Sequence, residues 1–125
     1  MCIRDSCTWY AKERRPDLPT FAWNWGLAMN WPEAARRCGF RVDERPAVGA
    51  VIVFPPGANG ADVGGHVAYV EQVGEEYLLI SECNVSPGYP CYEEPMYWVG
   101  GYFCANRRIG FTLLDAGVQF IHGRE

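Results

Sequence analysis

The amino-acid sequence predicts a single α+β domain in which N-terminal helices pack on an antiparallel β-sheet. Residues before about 40 include two stretches of helix-forming residues that end at proline or glycine. Beyond residue 50, short apolar runs alternate with stretches rich in glycine and proline, as strands joined by turns do. The 125 residues, 49% of them hydrophobic, suffice for one core and are too few for two.

The helical part comprises two regions. Residues 7–15 contain good helix formers, and the predicted helix ends before Pro16, which cannot continue a helix. Residues 23–39 predict one or two helical segments, with Asn30 as N-cap and Gly39 as C-terminal cap. A helix therefore begins at or next to Cys7.

The sheet part begins after Pro46. Its predicted strands span residues 50–54, 66–73 and 77–84, with one or two more between 96 and 107. Hairpin turns are the natural connections between them, because glycine, proline and acidic residues fill the gaps. We predict a domain over residues 7–110 and a C-terminal extension over 111–125.

Composition argues against several classes of protein. The formal net charge is −4 and no basic run occurs, which disfavours nucleic-acid binding. No apolar stretch reaches the length of a membrane span. The chain has no CxxC pair, only two histidines and no Asp-rich calcium loop, so we expect no metal and no cofactor. We expect a monomer.

Residues 1–6 lack the apolar segment and the cleavage site of a signal peptide. Met-Cys-Ile-Arg-Asp resembles the translation of a transposon adapter used in sequencing libraries. We therefore expect residues 1–6 to be foreign to the natural protein, whose N-terminus would be truncated here. The alternative is a short disordered tail.

One cysteine and one histidine stand out among the six cysteines and two histidines. Cys7 lies at the first turn of the first helix, where free N–H groups and the helix dipole favour a reactive thiolate. His66 follows two glycines and opens a strand, and histidine is the side chain suited to proton transfer near neutral pH. His122 lies in the last four residues and is predicted to belong to a frayed tail.

The predicted hairpin after His66 brings polar residues beside it. A three-residue loop pairs Val73 with Tyr77 and places Asn84 opposite His66, with Glu82 on the same face. A neighbouring carboxylate or amide would fix the orientation of the imidazole.

A two-residue loop is the alternative register. It would place Cys83 opposite His66 and turn the two polar residues to the other face. The sequence leaves both registers open, although the three-residue loop also pairs Val70 with Ile80 and keeps apolar residues together.

Five segments, in order, resemble the CHAP family (cysteine, histidine-dependent amidohydrolase/peptidase). Together they cover about residues 7–107. The segments are Cys-Thr-Trp-Tyr-Ala at 7–11, Trp-Gly-Leu-Ala-Met-Asn-Trp at 25–31, Pro-Ala-Val-Gly-Ala-Val at 46–51, Gly-His-Val-Ala-Tyr-Val-Glu at 65–71 and Ser-Glu-Cys-Asn at 81–84.

The resemblance implies a papain-like fold and hydrolysis of amide bonds in bacterial peptidoglycan. Cys7 would be the nucleophile and His66 the base, with Glu82 or Asn84 orienting the imidazole, Glu82 being favoured. The bond would be the muramoyl–alanine amide or a peptide bond of the stem or cross-bridge. The protein would be secreted to the cell wall or encoded by a phage as a lysin.

Substrate binding is assigned to Trp9, Trp25 and Gly65. Tryptophans at these spacings can equally be helix packing, so a core position is the alternative for Trp25. The family commonly has glutamine before the nucleophile, where this chain has Ser6, so weakened catalysis is expected. The rival functions are an inactive wall-binding module and an amidase acting on a small soluble amide.

The remaining cysteines have structural interpretations. Cys38 and Cys83 are predicted to lie in the core. A disulfide between Cys91 and Cys104 is a further candidate, because these residues flank a predicted loop and strand. A redox protein is disfavoured by the absence of CxxC.

Overall fold

The computed structural model describes residues 6–19, 25–85 and 92–124. Helix α1 spans Ser6–Arg14 and α2 spans Trp31–Arg37, the latter entered through a 3-10 turn, Ala28–Asn30. The strands are β1 Phe40–Asp43, β2 Val51–Phe54, β3 His66–Val73, β4 Tyr77–Cys83, β5 Tyr92–Val99, β6 Tyr102–Gly110 and β7 Gln119–Arg124. Within these ranges no helix is both long and apolar enough to cross a membrane.

The seven strands form one sheet in the order β1-β7-β2-β3-β4-β6-β5. Every neighbouring pair is antiparallel. The sheet and the two helices form a papain-like α+β fold, which confirms the predicted fold class.

Apolar residues fill both faces of the sheet. On one face α1 and α2 pack against alternate residues of β2, β3 and β7, including Val53, Val67 and Ile121. On the other face Phe54, Phe120 and their neighbours pack against the segments that join the strands, two of which form short 3-10 turns. Strand β2 is buried along its whole length because both faces are covered.

The β3–β4 hairpin combines features of the predicted register with one difference. Val70 pairs with Ile80, as predicted, but Val73 pairs with Leu78, so the predicted pairing with Tyr77 is wrong. A bulge at Glu71 accounts for the change, because it inserts one residue into β3 and shifts the pairing beyond it by one. Towards the open end of the hairpin the predicted register holds.

Two strands escape the sequence-based prediction. Strand β1 follows α2 directly, and β7 arises from the predicted C-terminal extension and lies between β1 and β2. His122 is therefore no tail residue: its side chain is buried in β7 and hydrogen-bonded to Asp43 Oδ1 at 2.7 Å. An apolar run this short at the end of a chain carries little sequence signal.

Cys104 forms a disulfide with Cys83, not with Cys91. The two partners are directly paired residues of β4 and β6, and both are buried, so the predicted core position of Cys83 is confirmed. Cys91 lies outside the described residues. In the described part of the chain Cys7 and Cys38 are free, and both are half-buried.

Candidate active site

Helix α1 presents Cys7 at its N-terminal end. Cys7 is the second residue of this nine-residue helix, where backbone N–H groups have no partner within the helix. Its thiol is hydrogen-bonded to the backbone N–H groups of Thr8 and Val67 and to the His66 side chain. The sulfur therefore lies where the helix meets the start of β3.

Contacts at the other end of α1 fix the position of the helix on the sheet. Arg14 is ion-paired with Glu71 of β3, and its guanidinium lies 4.0 Å from the centre of the Tyr69 ring. Arg15 is buried and donates to backbone carbonyls, among them Ile121 at 3.1 Å and His122 at 2.8 Å. Both arginines thereby anchor the helix that carries Cys7.

His66 is the first residue of β3, and Glu82 of β4 holds its ring. Nε2 of His66 lies 2.8 Å from Glu82 Oε1, which leaves Nδ1 as the ring nitrogen for the Cys7 thiol. The carboxylate is fully buried, whereas Asn84 is exposed beyond the end of the strand. Of the two predicted partners, Glu82 is thus the one that contacts the imidazole.

The polar contacts reverse the effect of burial on both reacting groups. Burial by itself would raise the pKa of Cys7, but the hydrogen bond and charge of His66, with the two backbone N–H groups, lower it. Burial by itself would lower the pKa of His66, but hydrogen bonds and charge from Cys7 and Glu82 raise it to about 10. Thiolate and imidazolium therefore stabilise each other.

A cleft of about 440 Å³ opens over these groups. Cys7, Gly65, His66, Glu82 and Asn84 all belong to its walls. Gly65 is required there, because its φ is +81° and a Cβ would lie 2.8 Å from the Phe54 carbonyl oxygen and 2.9 Å from the Met29 nitrogen.

The two tryptophans assigned to substrate binding lie elsewhere. Trp25 is buried and packs edge-on against Trp31 with 5.3 Å between ring centroids, so its assignment to the cleft is wrong and its core alternative holds. Trp9 is half-buried against the cluster of Tyr10, Cys83 and Cys104 and is not part of the cleft wall. Successive residues of an α-helix are rotated by about 100°, so Trp9, two positions beyond Cys7, points to the opposite side of α1.

Arg107 of β6 is a site residue that the sequence did not indicate. Its Nη2 donates to Glu82 Oε1 at 3.1 Å, and its Nε lies 2.7 Å from Oε2. The second contact lacks hydrogen-bond alignment and is an ion pair only. No motif surrounds Arg107, and only a strand register that pairs it with Ile80, two residues before Glu82, could have found it.

The chain has a papain-like fold in which a cysteine at a helix N-terminus contacts a histidine at a strand start. These features define the class as a papain-like domain with a cysteine–histidine pair. The family model for the CHAP domain matches residues 2–84, and the chain belongs to this family.

Curated relatives and a solved structure agree with this membership. The N-acetylmuramoyl-L-alanine amidase sle1 of Staphylococcus haemolyticus (strain JCSC1435) is 38% identical over a 104-residue alignment that covers 77% of this chain and 29% of the relative. The protein of that name from Staphylococcus aureus (strain USA300) is 37% identical over a 106-residue alignment that covers 77% of this chain and 29% of that protein. A crystal structure of an N-acetylmuramoyl-L-alanine amidase from Staphylococcus aureus has a TM-score of 0.70 and 28% identity, covering 94% of this chain and 30% of that one. The chain thus spans less than a third of the length of these proteins.

Proposed function

We propose that this domain hydrolyses an amide bond of bacterial peptidoglycan by thiol catalysis at the cell wall. The hydrogen-bonded series Cys7–His66–Glu82 in the wall of an open cleft carries the proposal. The relatives named as N-acetylmuramoyl-L-alanine amidases support peptidoglycan as the substrate.

The first half of the proposed reaction forms an acyl-enzyme. The Cys7 thiolate attacks the carbonyl carbon, and the electron pair of the carbonyl moves to its oxygen. Backbone N–H groups at the start of α1 favour negative charge in this region. When the tetrahedral intermediate collapses, the carbon–nitrogen bond breaks and imidazolium Nδ1–H of His66 protonates the leaving amine.

The second half releases the acyl group. Neutral His66 takes a proton from water, the resulting hydroxide attacks the thioester, and the thiolate leaves with imidazolium restored beside it. Throughout, Glu82 accepts a hydrogen bond from Nε2 and stabilises the positive ring. The protein therefore ends the cycle in the charge state in which it began.

Replacement of Cys7 tests the proposal directly. We expect Cys7→Ala to lower the release of soluble fragments from purified cell walls by on the order of 10³-fold or more, because the nucleophile is lost. Cys38→Ala is the matched control, since Cys38 is the other free cysteine of the described residues and contacts the core. Walls that the unmutated chain binds but does not solubilise would show a binding module instead.

The bond that we propose is the amide between the muramoyl group and L-alanine. The names of the relatives support this choice over a peptide bond of the stem or cross-bridge. Mass spectrometry of digested walls distinguishes them: free L-alanine amino termini on stem peptides are expected. New termini within stems or cross-bridges would indicate an endopeptidase, and activity confined to small soluble amides would contradict the peptidoglycan assignment.

A further inference from the structure

Arg107 is a largely buried cation behind the carboxylate that holds His66. Its side chain is 12% exposed and that of Glu82 is 0% exposed. The guanidinium contacts both carboxylate oxygens, one by a hydrogen bond and the other by an ion pair. Burying a carboxylate is costly unless a cation and hydrogen bonds compensate it, and Arg107 supplies both to Glu82.

Two further contacts fix the guanidinium itself. Nη1 donates to the backbone carbonyl of Asn59 at 3.1 Å, and the group lies 5.7 Å from the centre of the Phe54 ring. The same Phe54 ring stacks on His66 with 5.9 Å between centroids. Arg107 and His66 thus both contact Phe54 as well as Glu82. These shared contacts restrict the movement of the guanidinium, the carboxylate and the imidazole.

We propose that Arg107 is a positioning residue of the active site, which acts on His66 and Cys7 through Glu82. The inference rests on the hydrolase function proposed above. Arg107 holds the Glu82 carboxylate in place and aimed at Nε2, so that imidazolium, and with it the Cys7 thiolate, stays stable. Arg107 lies outside residues 2–84, to which the family match is confined.

The experiment compares Arg107→Met and Arg107→Lys in two backgrounds, unmutated and Glu82→Gln. Arg108→Met is the matched control, because Arg108 is the next residue of β6 and forms an ion pair with Glu93 at the surface. Two quantities are measured for each variant: kcat and KM for wall hydrolysis, and the pH midpoint of Cys7 alkylation by iodoacetamide, followed by peptide mass spectrometry.

In the unmutated background Arg107→Met should lower kcat by on the order of 10- to 100-fold with little change in KM. This is the size of the loss found in metalloenzymes when a residue that orients a functional side chain from behind is removed. The alkylation midpoint should move up towards the ordinary thiol value of 9.0. Arg107→Lys should have an intermediate effect, because lysine keeps the charge but not the two-pronged geometry. In Glu82→Gln, neither substitution at 107 should change kcat by more than about twofold, since the residue through which it acts is gone.

Equal losses in both backgrounds, or an Arg107→Met variant that behaves like Arg108→Met, would overturn the proposal. Arg107→Met alone leaves the buried Glu82 charge unpaired and can fail to fold. In that case Arg107→Lys is compared between the unmutated and Glu82→Gln backgrounds, and the double variant Arg107→Met, Glu82→Gln, which lacks both buried charges, is compared with Glu82→Gln. Alkylation does not depend on the substrate. A Glu82-dependent shift in its midpoint, with no release of wall fragments by the unmutated chain, would contradict the proposed function and leave the positioning role intact.

Discussion

Cys7 and His66 are each subject to two opposing effects. Partial burial favours the neutral thiol and the neutral imidazole, whereas their mutual hydrogen bond and charge favour the ion pair. Glu82 shifts the balance further, because its buried carboxylate contacts only the imidazole side of the pair. The result is a nucleophile that is charged at a pH where an isolated cysteine is mostly protonated.

The directions of these pKa shifts predict a bell-shaped pH profile for kcat/KM. The thiolate is present above the lowered pKa of Cys7, so the rate should fall as pH drops through that pKa, which lies below 9.0. The imidazolium is present below the raised pKa of His66, so the rate should fall as pH rises through about 10. Initial rates of wall hydrolysis between pH 4 and 11 (on the order of one unit apart) measure both limbs.

Glu82→Gln serves as the comparison for the alkaline limb. Without the carboxylate, imidazolium loses its charged partner, so this limb should move to lower pH. An alkaline limb that stays in place in Glu82→Gln would contradict the role given to the carboxylate.

At the scale of the elements, the site forms where the N-terminus of α1 meets the open end of the β3–β4 hairpin. The sequence could predict both because their signals are local: proline ends the helix, and turn residues bound the strands. The bulge at Glu71 could not be predicted, because one inserted residue hardly disturbs the alternation of apolar residues along β3. Arg107 and the partner of Cys104 depend on the pairing of β4 with β6, which no local pattern determines.

Glu71, the residue at the bulge, also stabilises the position of α1 through its ion pair with Arg14, and this role is testable. Arg14 contacts both carboxylate oxygens of Glu71, and Ser81 donates to the same group at 2.7 Å. We expect Glu71→Gln to lower the free energy of unfolding by about 1–2 kcal/mol, a figure kept small because the Arg14 side chain is 35% exposed. Thermal unfolding should show a loss in Tm of roughly 4–8 °C.

Acidification provides the control for this second prediction. Burial by itself would raise the pKa of Glu71, but the hydrogen bonds from Arg14 and Ser81 and the charge of Arg14 hold it below its ordinary value. The stabilisation is therefore present above pH 4.5 and is lost as pH falls through the lowered pKa. The unmutated protein and Glu71→Gln should therefore have the same stability at low pH. Glu75→Gln, in the exposed turn of the same hairpin, should have nearly the stability of the unmutated protein at any pH. A constant difference at all pH values would contradict the ionic origin of the effect.

At the scale of the whole molecule, residues beyond the family match complete both the core and the site. Strand β7 lies between β1 and β2 and receives the hydrogen bonds of Arg15. Asp115 accepts the backbone N–H of Asn59 at 2.7 Å, and the Asn59 carbonyl in turn holds Arg107. The C-terminal residues therefore connect, through Asn59, Arg107 and Glu82, to His66.

Truncation tests this dependence on the C-terminal segment. A chain that stops after Gly110 loses Phe120 and Ile121, which are 1% and 0% exposed, and leaves β2 with an unpaired edge. The loss of two such side chains costs about 5–10 kcal/mol, as much as the whole stability of many domains. We expect this chain to be unfolded or insoluble by circular dichroism and gel filtration, and to release nothing from cell walls.

A chain that stops after His122 keeps the buried part of β7, since Gly123 and Arg124 are exposed, and should remain folded and active. A folded, active chain ending at Gly110 would show instead that the domain closes without β7 and that the connection from Asp115 to His66 is dispensable.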